Sequence, residues 1–189
     1  IVGDKNEESI NNMVGYNFRL GEIEAAIGIE QLKKLDKIIE KKQNDANKLY
    51  LGLKDLKGLT MPIVQKNATH VYYMFPMVLD IDYLGVTRKK LIEALEAEGV
   101  EGLAGGYVNL HMLPIYQKKI AYGSSGFPWN SIYNDRNVNY SKGICPIAEK
   151  LHDETYFSYE MCMHNLDDDN IAQMIEAFHK VWKNLDTLK

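Results

Sequence analysis

A short polar and aromatic segment, Gly15-Tyr16-Asn17-Phe18-Arg19, stands directly before a well-patterned helix. An asparagine amide donates hydrogen bonds without carrying charge, and arginine offers anions a planar fork of donors. A plain surface helix would not need such a segment. The structural alternative is that Asn17 caps the helix while Arg19 pairs with Glu22 or Glu24. The segment is therefore a candidate for an anion-binding site or for a helix cap.

The other residues that could carry chemistry form no self-sufficient catalytic pattern. The five histidines lack the HExxH spacing and any other spacing that would place two ligands on one helical face, so no metal site is predicted. Cys162 and His164 flank a methionine on a predicted strand, where packing is commoner than ligation. The sequence contains no GxSxG elbow and no P-loop, and "LAGGY" lacks the strand-GxGxxG-helix context of a dinucleotide loop.

Composition narrows the class of protein further. The 189 residues are 46% hydrophobic and 25% charged with a formal net charge of −4, which is typical of a globular domain and gives no electrostatic footprint for nucleic acid. The apolar run "HVYYMFPMVL" is about half the length of a membrane helix, so no membrane partner is predicted. Two cysteines outside any CxxC pair, and no visible signal peptide, favour the cytoplasm. Because the chain begins "IVGDKNEESI" without methionine, we expect a piece of something longer.

Hydrophobic periodicity predicts long helices that alternate with short strands. A first helix is predicted from Leu20 to Leu56, with a broad apolar face that includes Ile23, Ile27, Leu32, Leu35, Ile38 and Ile39. A strand is predicted over residues 70–80, and Thr87 should cap the helix that follows it. The last three predicted elements are a short helix at "CPIAEKLHDE", a strand at "TYFSYEMCM" and a closing helix at "LDDDNIAQMIEAFHKVWKNL". The fold class is α/β, of the α+β kind, with a small, mostly antiparallel sheet covered by helices on one side.

One long segment has no regular period. Residues 121–143, "AYGSSGFPWNSIYNDRNVNYSKG", are rich in glycine, serine, asparagine and aromatic residues. Segments of this composition within compact domains are often functional loops. The role of the loop at 123–143 is left open by composition alone.

The opening segment has a close counterpart in a known family. "GYNFRLGEIEAAIGIEQLKKLD" resembles the segment GxNxRxxxxxAAxxxxQLxxLD of the DegT/StrS sugar aminotransferases, which have the aspartate aminotransferase type of fold. The resemblance continues in order through "HVYYMFPMVLD", "GVTRKKLIEALEAEGVEG", "GYVNLHMLPIY" and "CPIAEKL" to the closing helix. It therefore covers essentially the whole chain, as the C-terminal part of such an enzyme.

The resemblance implies an activity. Enzymes of this family use pyridoxal 5'-phosphate to move an amino group from glutamate or glutamine to a keto-sugar, usually a nucleotide-linked one. Their Schiff-base lysine lies upstream of the segment where this chain begins, so the catalytic residues are unknown here. Without that lysine and the acid at the pyridinium nitrogen, the electron sink and the proton shuttle are both missing. We therefore expect the 189 residues alone to be inactive, and the cofactor to be bound only in the complete enzyme.

The resemblance also implies site residues. Asn17 corresponds to the asparagine that hydrogen-bonds the cofactor phosphate of the neighbouring subunit, and Arg19 becomes a candidate for substrate binding. "GGYVNLHMLPIY" departs from the family pattern HYxPxH, yet it keeps Tyr107 and His111, which could line the cleft. Trp129, in the long loop, could stack against a sugar or nucleotide. Packing or surface roles remain the alternative for Tyr107, His111 and Trp129.

Three functions stay open at this stage. The first is the aminotransferase, with residues 1–57 as an interdomain and interface segment and 58–189 as the C-terminal small domain. The second is a sugar dehydratase of the same family that uses pyridoxamine phosphate, and the third is a noncatalytic interaction module. The family implies a homodimer, and a helix of about 35 residues spans roughly 50 Å, more than one small sheet can cover. A two-fold contact is therefore predicted through residues 13–40, including Met13, Phe18, Leu20 and Ile27.

Overall fold

A computed structural model describes residues 20–134 and 137–189, which divide into two compact units. The first, the sheet unit, consists of residues 20–106 and 153–189. The second, the loop unit, consists of the described residues between 107 and 152. The predicted domain division at residues 57 and 58 is a different boundary and stays a prediction. No helix of the described residues is both long and apolar enough to cross a membrane.

The sheet unit is built on four short antiparallel strands. These are β1 (Leu59–Thr60), β2 (Phe75–Leu79), β3 (Leu103–Gly105) and β4 (Tyr156–Tyr159), in the order β1-β2-β4-β3. Ser158 of the central strand β4 lies opposite Pro76 on one side and Ala104 on the other. The small, mostly antiparallel sheet predicted from the sequence is confirmed.

Four helices belong to the same unit: α1 (Glu22–Leu53), α2 (Ile81–Leu84), α3 (Arg88–Ala97) and α6 (Asp168–Lys183). As predicted, Thr87 caps α3 by accepting the backbone N–H of Lys90. Asp167 and Asn170 form a reciprocal capping box at the start of α6. Ile171, Met174 and Val181 of α6 are buried, and the buried ring of Phe178 stacks on Phe157 of the sheet at 6.5 Å.

Helix α1 is buried only near its C-terminal end. Its 32 residues span about 48 Å, and its buried residues are Asp45, Ala46, Leu49 and Leu53. Leu20 and Ile23 are both 76% exposed, and Ile27 is 57% exposed. The long helix is therefore as predicted, but most of its apolar face has no cover within the described residues.

The predicted strand over residues 70–80 is too long. Only Phe75–Leu79 pair in the sheet, because Tyr72 has a φ of +50° and breaks the extended backbone. The imidazole Nδ1 of His70 accepts the backbone N–H of Tyr72 at 2.8 Å, which holds this turn. The strand predicted at "TYFSYEMCM" likewise ends early, at Tyr159, and a 3-10 turn follows at Met161–Met163. Cys162 therefore lies in this turn and His164 directly after it, and not on the strand predicted for them.

The loop unit has little regular structure. It contains a 3-10 turn at Leu110–Met112 and the short helices α4 (Pro114–Gln117) and α5 (Pro146–Lys150). Both helices carry proline at the first helical position, where its missing N–H costs nothing. A π turn at Leu151–Thr155 continues the chain after α5. The predicted short helix at "CPIAEKLHDE" is thus confirmed.

Candidate functional site

The two site residues of the opening segment lie outside the described residues. Asn17 was expected to bind the cofactor phosphate, and Arg19 the substrate, with a helix cap and an ion pair as the alternatives. The residue at the N-cap position of α1 is Gly21, which has no side chain that could accept a backbone N–H of the helix. The roles of Asn17 and Arg19 stay predictions.

His111 lies in the loop unit with its ring fixed by a carboxylate. Its Nε2 is 2.9 Å from Oε1 of Glu149, and the side chains of the two residues are 10% and 8% exposed. The backbone N–H of Gly143 donates to both oxygens of the same carboxylate at 2.8 Å, and that of Cys145 donates to Oε1 at 3.2 Å. One carboxylate thus joins the 3-10 turn that carries His111 to the start of α5.

These donors govern the charge on Glu149. Burial raises the pKa of the carboxyl, but the hydrogen bonds from Gly143, Cys145 and His111, with the charge of His111, outweigh burial and hold the pKa below its ordinary value. The carboxylate is therefore ionised at neutral pH and can only accept hydrogen bonds. It follows that Nε2 of His111 carries a proton and that Nδ1 is the nitrogen left for other contacts.

Tyr107 lies at the start of the loop unit and presents its side chain to solvent. The side chain is 59% exposed, and the backbone N–H donates to Nδ1 of His152 at 3.0 Å. The residue is held by its main chain while its phenol remains accessible. This is an arrangement that suits a binding residue, although an exposed tyrosine is also common on ordinary surfaces.

Trp129 packs in a cluster of three aromatic rings. Its indole stands edge-on to Tyr116 at 6.2 Å and to Tyr140 at 6.3 Å, and its Nε1 donates to the hydroxyl of Tyr140 at 3.0 Å. The amide of Gln117 donates to the backbone oxygen of Tyr140 at 2.6 Å and closes the cluster. Trp129 therefore holds the long loop together in this structure, as in the packing alternative.

The amides that could have bound sugar hydroxyls are used within the loop. The amide nitrogen of Asn130 donates to the backbone oxygen of Ser125, and that of Asn134 to the backbone oxygen of Trp129 at 2.9 Å. By contrast, Ile132 and Tyr133 of the same loop are each 91% exposed to solvent. The exposed surface of the loop thus includes two large apolar side chains among polar ones.

Glu149 is the residue of this site that sequence reasoning did not predict. A local signal was present, because a glutamate in the first turn after an N-terminal proline often accepts backbone N–H groups at a helix start. The decisive contact is the one with His111, 38 residues away in the chain. No short motif encodes that distance.

The fold is shared with known pyridoxal-phosphate enzymes. DesV of S. venezuelae, solved in complex with a ketimine intermediate, superposes with a TM-score of 0.66 at 21% identity, covering 89% of this chain and 38% of DesV. The fold is therefore of the aspartate aminotransferase type. The sequence pattern of the DegT/DnrJ/EryC1/StrS aminotransferase family matches residues 1–156. The chain belongs to that family.

Relatives of known role share this segment. The spore coat polysaccharide biosynthesis protein SpsC of Bacillus subtilis is 26% identical over 172 residues, 91% of this chain and 39% of its own length. GDP-perosamine synthase of Vibrio cholerae is 32% identical over 139 residues, 71% of this chain and 36% of its own length. A dehydratase also matches: E. coli GDP-4-keto-6-deoxy-D-mannose-3-dehydratase with bound hydrated PLP, at 27% identity and a TM-score of 0.60, covering 87% of this chain and 36% of that enzyme.

The chain spans about two fifths of the length of these proteins. Pyridoxal phosphate needs a lysine for its aldehyde and donors around its phosphate. The lysine is expected upstream, and the predicted phosphate ligand, Asn17, lies outside the described residues. Residues 20–134 and 137–189 hold no group of three or more His, Cys, Asp or Glu that could bind a metal ion.

Proposed function

We propose that the chain is the C-terminal portion of a pyridoxal-phosphate-dependent aminotransferase that moves an amino group from glutamate or glutamine to a nucleotide-linked keto-sugar. The observation that carries the proposal is the family match over residues 1–156, which includes the exposed Tyr107 and the fixed His111. The sugar-related names of SpsC and GDP-perosamine synthase support the substrate class.

In this proposal the residues of the chain bind and do not perform the chemistry. Asn17 donates its amide to the cofactor phosphate of the neighbouring subunit, and Arg19 offers its guanidinium to the substrate. Tyr107 presents a hydroxyl at the cleft, and His111, whose Nε2 is committed to Glu149, faces the sugar with its other nitrogen. Trp129 and the loop at 123–143 shape the sugar side. Because the Schiff-base lysine is expected upstream, this chain by itself is inactive.

The dehydratase is the second candidate, because the E. coli GDP-4-keto-6-deoxy-D-mannose-3-dehydratase matches 87% of the chain. The two activities differ in the fate of the sugar. An aminotransferase adds nitrogen to it, whereas a dehydratase removes a hydroxyl group as water.

Mass spectrometry separates the two candidates. The complete protein is supplied with cofactor, a nucleotide-linked keto-sugar and glutamine or glutamate labelled with 15N at its amino group. A sugar product that has gained 15N supports the aminotransferase, and one that has lost a hydroxyl oxygen without gaining nitrogen supports the dehydratase. If neither product forms with a panel of nucleotide-linked keto-sugars, the protein acts as a binding module instead.

The same proposal includes a homodimer in the cytoplasm, assembled through residues 13–40, with residues 1–57 as the interface segment and 58–189 as the small domain. Ile23 and Ile27 of α1, and Leu20 just before the helix, support it, because all three are exposed apolar residues, and exposed apolar surface of this kind marks interaction sites. Met13 and Phe18, also predicted at the contact, lie outside the described residues.

Ultracentrifugation of the complete protein tests the dimer. Ile27→Glu should dissociate it, because the substitution places a charge in an apolar contact. Leu51→Glu is the matched control, since Leu51 is another exposed apolar residue of α1 and lies outside residues 13–40. A parent protein that is monomeric at high micromolar concentration contradicts the dimer.

A further inference from the structure

The sheet unit contains a cavity of about 350 Å³ that plays no part in the proposed aminotransferase site. It lies where the end of β4, the turn after α3, the segment that follows the Met161–Met163 turn and the first turns of α6 meet. Its polar lining comes mainly from Glu98, Glu101, Tyr159, His164, Asn165 and Gln173. Its volume falls at the lower end of the range for small-molecule pockets, roughly 300 to 1,000 Å³.

Tyr159 aims a hydroxyl group without a partner at this cavity. The residue is only 2% exposed, and no residue in the described ranges hydrogen-bonds its hydroxyl. Every fully enclosed side-chain nitrogen or oxygen among the described residues does have a partner. The Tyr159 oxygen is therefore not fully enclosed, and the residue lines the cavity. A polar group in such a position normally bonds to water or to a ligand, so the hydroxyl is available to a molecule that enters the cavity.

The hydroxyl is a permanent donor. Burial, and secondarily the negative charge of Glu101, raise the pKa of Tyr159 to about 12. The phenol therefore keeps its proton throughout the physiological range and can both donate and accept a hydrogen bond.

The cavity has an aromatic wall beside the Tyr159 side chain. The ring of His164 stacks on that of Tyr159, with centroids 5.2 Å apart and planes inclined by 27°. This placement depends on Gly102, because a Cβ atom at that position would collide with Nε2 of the imidazole. Gly102 also has a φ of +83°, which residues other than glycine rarely adopt.

Lysines of α1 hold this wall in place. Lys42 Nζ donates to the backbone oxygen of Met161 at 2.6 Å and to that of His164. Lys41 Nζ donates to the backbone oxygen of Leu166 at 2.5 Å. The segment that carries His164 and Asn165 is thus fixed by three side-chain bonds from a neighbouring helix. A binding site arranged in advance loses less entropy when a ligand enters.

The charge of the lining selects the ligand. Glu98 and Glu101 are carboxylates, and the described residues that line the cavity include no lysine or arginine. Glu98 is paired with Lys180 at 2.5 Å, whereas Glu101 has no ion pair within the described residues. Such a lining disfavours phosphates and carboxylic acids and favours hydroxyl groups and an ammonium group.

We propose that this cavity binds a small polyhydroxylated amine of the size of a single amino-hexose. Its hydroxyl groups would exchange hydrogen bonds with Tyr159 and the amides of Asn165 and Gln173, and its ammonium group would lie against Glu101. Because every residue involved belongs to the sheet unit, the inference does not rest on the aminotransferase activity.

Saturation-transfer NMR on the complete protein tests the proposal, with D-glucosamine, D-glucose and D-glucuronate as probes. We expect glucosamine to bind more tightly than glucose, and glucuronate not to bind. Tyr159→Phe should weaken glucosamine binding at least about tenfold. The melting temperature should not fall, because the hydroxyl that is removed has no partner in the described part of the chain. Glu101→Gln should abolish the preference for glucosamine over glucose.

Tyr156→Phe is the matched control, because it removes a hydroxyl from the same strand at a residue that does not line the cavity. It should leave glucosamine binding unchanged and so separates this cavity from any other sugar site in the complete protein. The proposal is overturned if glucosamine does not bind, if Tyr159→Phe binds it as the parent does, or if glucuronate binds equally well. An upstream segment of the complete protein that fills the cavity would give the first of these results.

Discussion

Oε1 of Glu149 accepts a hydrogen bond from Nε2 of His111 at 2.9 Å, with both side chains about nine-tenths buried. This pair ties together two stretches of a unit that has few regular elements. The same carboxylate receives the backbone N–H groups of Gly143 and Cys145, so it also fixes the end of the long loop. Glu149, which the sequence did not predict as a site residue, thus positions the predicted site residue His111.

We expect Glu149→Gln to lower the melting temperature and to release the His111 ring. An uncharged amide accepts hydrogen bonds more weakly, and its NH2 group would face the two backbone donors. Calorimetry measures the first effect, and the imidazole NMR signals report the second. Glu176→Gln, on the exposed side of α6, is the control and should change neither.

Acid should weaken the protein through the same carboxylate. The folded-state pKa of Glu149 lies below its ordinary value of 4.5, so the unfolded chain binds more protons in the interval between the two values. The stability that Glu149 contributes is therefore complete above pH 4.5 and is lost as the pH falls through the lowered pKa. Melting temperatures of the parent and of Glu149→Gln should converge as the pH falls. A constant difference between them would contradict this role.

Asn17→Ala in the complete enzyme should weaken cofactor binding by about 1 to 2 kcal/mol, or roughly tenfold, because it removes one uncharged hydrogen bond to the phosphate. Titration with the cofactor measures the change, and the fold should survive. Asn12→Ala, in the same segment, is the control. Equal affinity in Asn17→Ala and the parent would contradict the predicted contact with the phosphate.

Tyr107 and Trp129 should respond differently to substitution. Tyr107→Phe removes only an exposed hydroxyl, so it should lower turnover with the keto-sugar while the melting temperature and the reaction with the amino donor stay unchanged. Trp129→Ala should also lower the melting temperature, because it opens the cluster with Tyr116 and Tyr140. Tyr83→Phe, a loss of another exposed phenol, is the control. Unchanged sugar turnover in Tyr107→Phe would remove Tyr107 from the site.

Alanine substitutions at two positions of α1 should differ in their effects on stability and on self-association. Leu49 is 1% exposed and belongs to the core, so Leu49→Ala should cost about 2 to 5 kcal/mol of the free energy of unfolding. Ile23→Ala should change the stability of the isolated chain by less than about 0.5 kcal/mol, while weakening self-association. Urea denaturation of the isolated chain and ultracentrifugation of the complete protein measure the two effects. A loss of stability in the isolated chain from Ile23→Ala would mean that the chain itself covers this face.

The sequence predicts well what depends on local signals. Helices α1, α3 and α6 were found from their periodicity, and the cap at Thr87 from a residue type that accepts backbone N–H groups. The predicted start of the strand at residue 70 was wrong. The turn at Tyr72 depends on a contact with the His70 ring, which hydropathy does not reveal. Helix α2 and strand β1 were missed because they are only four and two residues long.

The candidate site was less predictable, because its contacts join distant parts of the chain. His111 and Tyr107 were identified by the family resemblance, and their use in binding stays a prediction. The pairing of His111 with Glu149 and the packing of Trp129 on Tyr140 arise only when the loop folds back on itself. The sequence did not indicate the cavity at Tyr159, because a tyrosine on a predicted strand is normally interpreted as a core residue.

Helix α1 leaves the core near Asp45 and continues outward for six turns toward Glu22. Helices without tertiary packing are marginal in water, so the amide hydrogens of this stretch should exchange with solvent quickly wherever no other surface covers it. The residue at which deuterium uptake changes from slow to fast would then mark the edge of whatever covers the helix. The position of this change along α1 would therefore show, helical turn by helical turn, how far assembly of the complete protein has proceeded.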